Sequence, residues 1–246
     1  MKPTAIILTA LILFTMLTGC DSYKQERGNG NIMEQERAVD NFSKVQVSGN
    51  FEVYLKKSDS PGLIITTDEN LHEFIEVKQK GDVLEVKSDR TLKSREGVKL
   101  LIEFTELTAI SSSGASVIES EDVITGDYLR LEMSGAGAID LSVDLKALKV
   151  NVSGAGAVEL RGNVTEQNIQ MSGAGGLDAK RLVSKKCKIE ISGVGGASLN
   201  VKEALDASVS GVGGITYRGN PAQVKTNISG LGTITREEDA AEDEEV

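Results

Sequence analysis

Apolar and polar residues alternate through the second half of this chain in blocks that return about every 19 residues. The natural reference point is a serine that opens a glycine-rich phrase. One position before it stand Met133, Val152, Met171, Ile191, Val209 and Ile228. Three before it stand Leu131, Val150, Ile169, Ile189, Ala207 and Thr226, and five before it Leu129, Leu148, Gln167, Cys187, Leu205 and Val224. Polar residues fill the gaps: Glu132, Asn151, Gln170, Glu190, Ser208 and Asn227, and further out Arg130, Lys149, Asn168, Lys188, Asp206 and Lys225. A period of two is the signature of a half-buried β-strand. A second strand follows the phrase. Ile139, Val158, Leu177, Ala197, Ile215 and Ile234 lie five past the serine, and Leu141, Leu160, Ala179, Leu199 and Tyr217 seven past it.

The phrase itself opens with Ser113-Gly114-Ala115. It returns as Ser134-Gly135-Ala136-Gly137, Ser153-Gly154-Ala155-Gly156, Ser172-Gly173-Ala174-Gly175, Ser192-Gly193-Val194-Gly195, Ser210-Gly211-Val212-Gly213 and Ser229-Gly230-Leu231-Gly232. The steps are 21, 19, 19, 20, 18 and 19 residues. Each unit reads as strand, glycine corner, strand and second turn, the last marked by Gly162-Asn163 and Gly219-Asn220-Pro221. So short a unit leaves no room for a helix. It predicts one coil of an all-β, single-stranded parallel β-helix in which like residues stack on like. The glycines are corner residues, placed where a bend tolerates no Cβ. Parity breaks at the corner, so the pattern does not say which way Ala136, Ala155 and Val194 point.

Upstream, Val45, Val47, Ser48-Gly49, Val53 and Leu55 keep the same phase. Between Leu55 and Thr108 it is lost. Leu63–Thr67 and Lys99–Phe104 predict strands, Glu69–Phe74 a helical turn, and Lys80-Gly81-Asp82 a hairpin joining two short strands. Residues 41–110 are therefore expected to form an irregular N-terminal cap with the first coils, and 111–236 the regular repeats, in one domain spanning 41–236.

Residues 1–19 read as a signal peptide, with Lys2 before an apolar run from Ala5 to Leu17. Leu17-Thr18-Gly19-Cys20 resembles the lipobox of bacterial lipoproteins. That resemblance implies cleavage before Cys20, lipidation of this residue and a membrane anchor. Residues 20–40, with Gly28-Asn29-Gly30-Asn31, are expected to be a flexible tether. Cys187 lies in an inward column and reads as a small buried hydrophobe.

Charge adds little to the body. Seven of the ten net negative charges sit in the acidic tail at 237–246, expected to be disordered and solvated. The remainder shows no basic stripe for nucleic acid. Aromatics make up 4% and tryptophan is absent, as a narrow aliphatic core allows. No cofactor or metal site is expected. Glycine pairs that cradle phosphate join a strand to a helix, whereas these join strand to strand. Asp140, Glu159 and Asp178 form an outward column that could attract a cation, offset by Arg161 and Lys180. The single histidine, His72, lies outside the repeat and reads as a surface residue.

The run from Asn41 to Val53, the Asp68-Glu69-Asn70-Leu71 segment with Ile75-Glu76-Val77, and the Ser-Gly-Ala-Gly repeats together resemble the putative auto-transporter adhesin, head-GIN domain family, over roughly residues 41–230. The resemblance implies a right-handed parallel β-helix on a secreted or lipid-anchored envelope protein, with the outer membrane favoured. It brings no catalytic residues. The expected activity is non-enzymatic binding of an extended glycan or protein ligand. The candidate face is the polar columns Arg130–Lys225 and Glu132–Asn227. A carbohydrate-active β-helix enzyme and a structural or sensory envelope component acting through a protein partner are the alternatives.

Overall fold

The computed structural model describes residues 24–237. Two short strands lead, β1 (Gln25–Arg27) and β2 (Ile32–Arg37), followed by β3 (Lys44–Ser48), β4 (Glu52–Lys57) and β5 (Gly62–Asp68). A 3-10 helix over Glu69–Phe74 precedes β6 (Glu76–Lys80), β7 (Val83–Lys87), β8 (Thr91–Lys93) and β9 (Lys99–Phe104). The repeats comprise β10 (Ala109–Ser112), β11 (Val117–Ser120), β12 (Ile124–Met133), β13 (Ala136–Val152), β14 (Ala155–Met171), β15 (Ala174–Ile191), β16 (Val194–Val209), β17 (Val212–Arg218), β18 (Gln223–Ile228) and β19 (Leu231–Arg236).

Backbone pairing between successive coils is parallel and follows the columns: Leu131 lies over Val150, Val150 over Ile169, Ile169 over Ile189 and Ile189 over Ala207. The result is a parallel β-solenoid of about seven turns. The inward columns form a continuous aliphatic core, with Ile169, Ile189, Leu141, Leu160 and Leu199 wholly buried. Strands β13 to β16 run through the second turn without a break, and a further inward set, Val143, Val164, Leu182 and Val201, fills the third side.

The hydrogen-bond ladder also continues through the glycine corner. Ala155 N–H donates to the Gly135 carbonyl at 3.0 Å, and Ala174 N–H to the Gly154 carbonyl at 3.0 Å. Such close approach leaves no space at the α-carbon: a Cβ on Gly154 would lie 1.8 Å from the Gly135 oxygen. At the second turn, Gly162 takes φ +110, where a side chain is also sterically disfavoured. Beyond the corner, Ala136, Ala155 and Ala174 face solvent, as do Val194, Val212 and Leu231.

The N-terminal end closes by a change of pairing. β3 pairs in parallel with β10 on one side and β7 on the other, but β6 and β7 form an antiparallel hairpin. β4 pairs in parallel with β11 and β9, whereas β5 pairs antiparallel with β9 and then with β2. The outermost layer is thus β6, β1 and β2.

Three expectations need correction. The stretch read as a flexible tether contains two strands, Gln25–Arg27 and Ile32–Arg37. β1 pairs with β8 and β2 with β5, so backbone hydrogen bonds order a segment whose composition is polar. His72 is buried rather than on the surface, because β2 covers it; its Nε2 lies 3.1 Å from the Met33 carbonyl oxygen. Glu237, the first acid of the tail, is not free in solvent. It receives Arg218 at 2.9 Å and Lys180 at 3.3 Å, and its N–H donates to the Tyr217 carbonyl at 2.8 Å. The segment expected to be a signal peptide (residues 1–19), Cys20 and tail residues 238–246 lie outside the described residues.

Candidate binding groove

Columns six, five and four before the serine form a trough parallel to the stack axis. One wall carries Tyr128, Ala147, Glu166, Lys186, Ala204 and Gln223; the other carries Lys149, Asn168, Lys188, Asp206 and Lys225. Leu148, Gln167, Cys187 and Leu205 form the floor between them. Its volume is about 880 Å³. Two short side chains on the first wall, Ala147 and Ala204, leave open space among the long ones. Tyr128 is 42% exposed at one end, and Val224 is 46% exposed at the other.

The groove is lined with charges that are mostly paired across or along coils. Lys186 Nζ lies 3.0 Å from Glu166, Lys225 3.3 Å from Asp206, and Lys188 2.9 Å from Glu190. Hydrogen bonding to Glu166 raises the Lys186 pKa above its ordinary value, and hydrogen bonding to Glu190 does the same for Lys188. Lys149 has no carboxylate partner among the described residues. Under the floor, Gln167 Nε2 donates to Ser184 Oγ at 2.9 Å, and Ser184 Oγ donates to the Asn200 carbonyl at 3.0 Å. Burial pushes the Cys187 thiol up to about 12, against a smaller opposing effect from Gln167, so this sulfur is held as the neutral thiol.

The candidate face from the sequence is therefore split. The Lys149–Lys225 column lines the groove. The Glu132–Asn227 column lies next to the serines, where Gln170, Glu190, Ser208 and Asn227 line a smaller depression and Arg130 pairs with Glu132. The opposite wall was not anticipated. Its only sequence signal is the pair of alanines at positions where the pattern otherwise places long polar side chains.

Two of the three acids in the outward column are held by guanidinium groups, and Asp178 accepts the Lys180 N–H at 3.0 Å. Arg161 holds Asp140 and also lies 3.6 Å from Glu159, and Arg181 pairs with Glu159. Lys180 turns instead to Glu237. No cluster of potential metal ligands occurs among the described residues. The corner glycines from Gly135 to Gly232 line the stack edge, where they serve backbone approach.

Residues 41–221 match the profile of the family described as putative auto-transporter adhesin, head GIN domain. The chain belongs to that family. Among solved structures, a putative adhesin from Bacteroides fragilis is similar, with TM-score 0.83 at 26% identity, covering 86% of this chain and all of that one. A protein from Parabacteroides distasonis described as a putative lipid binding protein shares the fold, with TM-score 0.72 at 21% identity over 87% of this chain and 100% of its own. A putative adhesin from Parabacteroides merdae does so with TM-score 0.67 at 21% identity, over 87% of this chain and 99% of its own. A comparison with curated proteins finds no match. The family and the Bacteroides fragilis structure support a non-enzymatic binding role, and the neighbours at 21% identity show the shared fold.

Proposed function

We propose that this head GIN domain protein is a cell-envelope lipoprotein, acylated on Cys20 and held on the outer membrane. It displays its solenoid as an adhesin for an extended ligand, a glycan or a protein chain. The observation that carries this reading is the groove's direction. It crosses six coils from Tyr128 to Lys225, about 24 Å at strand spacing. A trough with a repeat of one strand spacing offers the same contacts again at each step, which suits a polymer better than a compact small molecule. Tyr128 supplies an aromatic surface, Asn168 and Gln223 supply amides, and Lys149 an uncommitted charge.

Catalysis is not the favoured reading. Glu166 and Asp206 each accept from a lysine, as surface ion pairs do.

The test is binding of the full chain to glycan and matrix-protein arrays, paired with adhesion of cells lacking the gene. Ala204→Trp fills the groove from a partly exposed position and is expected to abolish binding while the melting temperature holds. Absence of any ligand together with unchanged adhesion overturns the proposal.

A further inference from the structure

The trough has an excess of positive charge. Four lysines line it, Lys149, Lys186, Lys188 and Lys225, against two carboxylates, Glu166 and Asp206. Both carboxylates are already taken, Glu166 by Lys186 and Asp206 by Lys225. Lys188 pairs with Glu190, outside the trough, in a solvent-exposed contact of the kind that contributes little. Lys149 is half-buried and has no carboxylate partner among the described residues. It lies in register with Arg130, which Glu132 holds. Cations one strand apart repel, so the surroundings of Lys149 favour an added anion. The margin beyond the first wall is neutral, with Lys146 and Lys185 against Asp127 and Glu203.

The excess is periodic. In register, Lys149 is followed by Asn168, Lys188, Asp206 and Lys225 on successive coils. Lysines therefore recur at every second coil, about 9.6 Å apart at strand spacing. This matches the length of a disaccharide in an extended polysaccharide. An extended peptide repeats its like-facing side chains at roughly 6.7 Å, which does not keep step. Peptides are also commonly recognised by adding to a sheet edge. No edge opens along the trough, because each interior wall strand is paired with the coil on either side. A peptide lying there would leave its N–H and C=O groups to side chains and water. Sugar hydroxyls make no such demand, and the exposed ring of Tyr128 gives a flat surface on which a sugar ring rests.

We propose that the trough binds an anionic polysaccharide with one carboxylate or sulfate per disaccharide, laid along the stack axis with its anions at Lys149 and Lys188. This deepens, and rests on, the reading of the trough as the binding site. Asn168, on the coil between the two lysines, offers its amide to the uncharged sugar of the repeat. Ala147, across the floor from Lys149, leaves the space in which the charged ring sits. Lys188 turns from Glu190 toward the ligand anion at little cost, since their pair is exposed. At Lys225 the carboxylate of Asp206 already supplies the anion, so charge is read in the half of the trough nearest Tyr128.

The experiment measures binding of the full chain by titration calorimetry. The probes are hyaluronan and unsulfated chondroitin, each with one carboxylate per disaccharide, the same polymers with their carboxyls reduced to alcohols, and polyglutamate. The acidic polysaccharides are expected to bind, and reduction to weaken them about a hundredfold, as loss of two charge-assisted hydrogen bonds implies. Lys149→Gln is expected to weaken the acidic polymers about tenfold and to leave the reduced ones unchanged, with the melting temperature held. Ala147→Trp, which fills the trough beside Lys149, removes all binding. Equal binding of acidic and reduced polymers, lost in Ala147→Trp, overturns the anionic assignment and leaves the trough as the site. Polyglutamate bound as tightly as the polysaccharides and weakened by Lys149→Gln makes the occupant an acidic peptide, which overturns the assignment as well. So does a failure of both acidic polysaccharides to bind, while the array screen still decides the broader reading. Binding that survives Ala147→Trp overturns the trough and the assignment together.

Discussion

The glycine corner makes a sharp quantitative demand, and Gly154→Ala tests it. The added Cβ would lie 1.8 Å from the Gly135 oxygen and 2.8 Å from backbone carbons of the same coil. Ordinary contact needs roughly twice the first distance, so adjoining coils must separate by about 1.5 Å at this corner. The Ala155 N–H to Gly135 bond, now 3.0 Å, cannot survive that movement, and the 3.4 Å contact of Gly154 N–H with the Met133 carbonyl goes with it. Two backbone bonds at about 1–1.5 kcal/mol each give a loss of about 2–3 kcal/mol. For a domain of this size that lowers the melting temperature by about 4–12 °C. Gly126→Ala is the matched control: its Cβ meets nothing closer than Leu145 Cδ2 at 3.9 Å. It is expected to be neutral or stabilising by about 0.4–1 kcal/mol through the unfolded chain. Thermal melts followed by circular dichroism compare the two. Equal melting temperatures would refute the claim that glycine is required here for coil-to-coil approach.

Other outcomes follow from burial and charge. Ile189→Asp places an unpaired charge at a wholly buried position between Ile169 and Ala207 and should prevent folding, whereas Glu190→Ala next to it should leave the melt nearly unchanged; circular dichroism of both decides. Cys187 should resist iodoacetamide at pH 8 in the folded protein and react at once in guanidinium, read by mass spectrometry, because a thiol pushed up to about 12 carries almost no thiolate. The Asp68 carboxyl is held below its ordinary 3.8, first by Ser94 and then by Gly30 N–H. A depressed acid contributes its full stabilisation above pH 3.8 and loses it as pH falls through the folded value. The protection factor of the Gly30 amide, corrected for intrinsic exchange, should therefore hold above the ordinary carboxylate range and fall below it; a protection factor that does not change with pH would contradict the assigned role.

How far the chain could be read depends on what each segment uses to hold its place. The inward columns were legible because every coil repeats the same period-two alternation, and a Leu-Val-Ile-Ile ladder such as Leu131, Val150, Ile169 and Ile189 has one sensible stacking. The entry strands were not legible. Residues 32–37 read Ile-Met-Glu-Gln-Glu-Arg, and β2 is held chiefly by backbone bonds to β5, which leave no hydrophobic pattern. His72 was misjudged for the same reason, since the strand that covers it was itself invisible. Half of the groove was missed because concavity comes from what is absent, the side-chain atoms that Ala147 and Ala204 lack.

The last coil shows why composition and burial separate in a solenoid. Ile228 continues the column of Ile191 and Val209, yet it is 46% exposed where Val209 is 1% exposed. Val224 continues the column of Leu205 and is likewise 46% exposed against 2%. The residue types match, so the difference lies in position: an interior coil is covered from both sides and the last from one. The cap end solves this with antiparallel strands, which end the stack by turning its edge aside. At the far end, Glu237 extends the ladder by one more bond to Tyr217 and closes over Arg218 and Lys180. Ion pairing there fastens the edge of the stack without covering it, so the two ends differ in kind. One ends in antiparallel strands that turn the ladder aside, and the other ends in a parallel coil whose Val224, Ile228 and Leu231 side chains remain exposed.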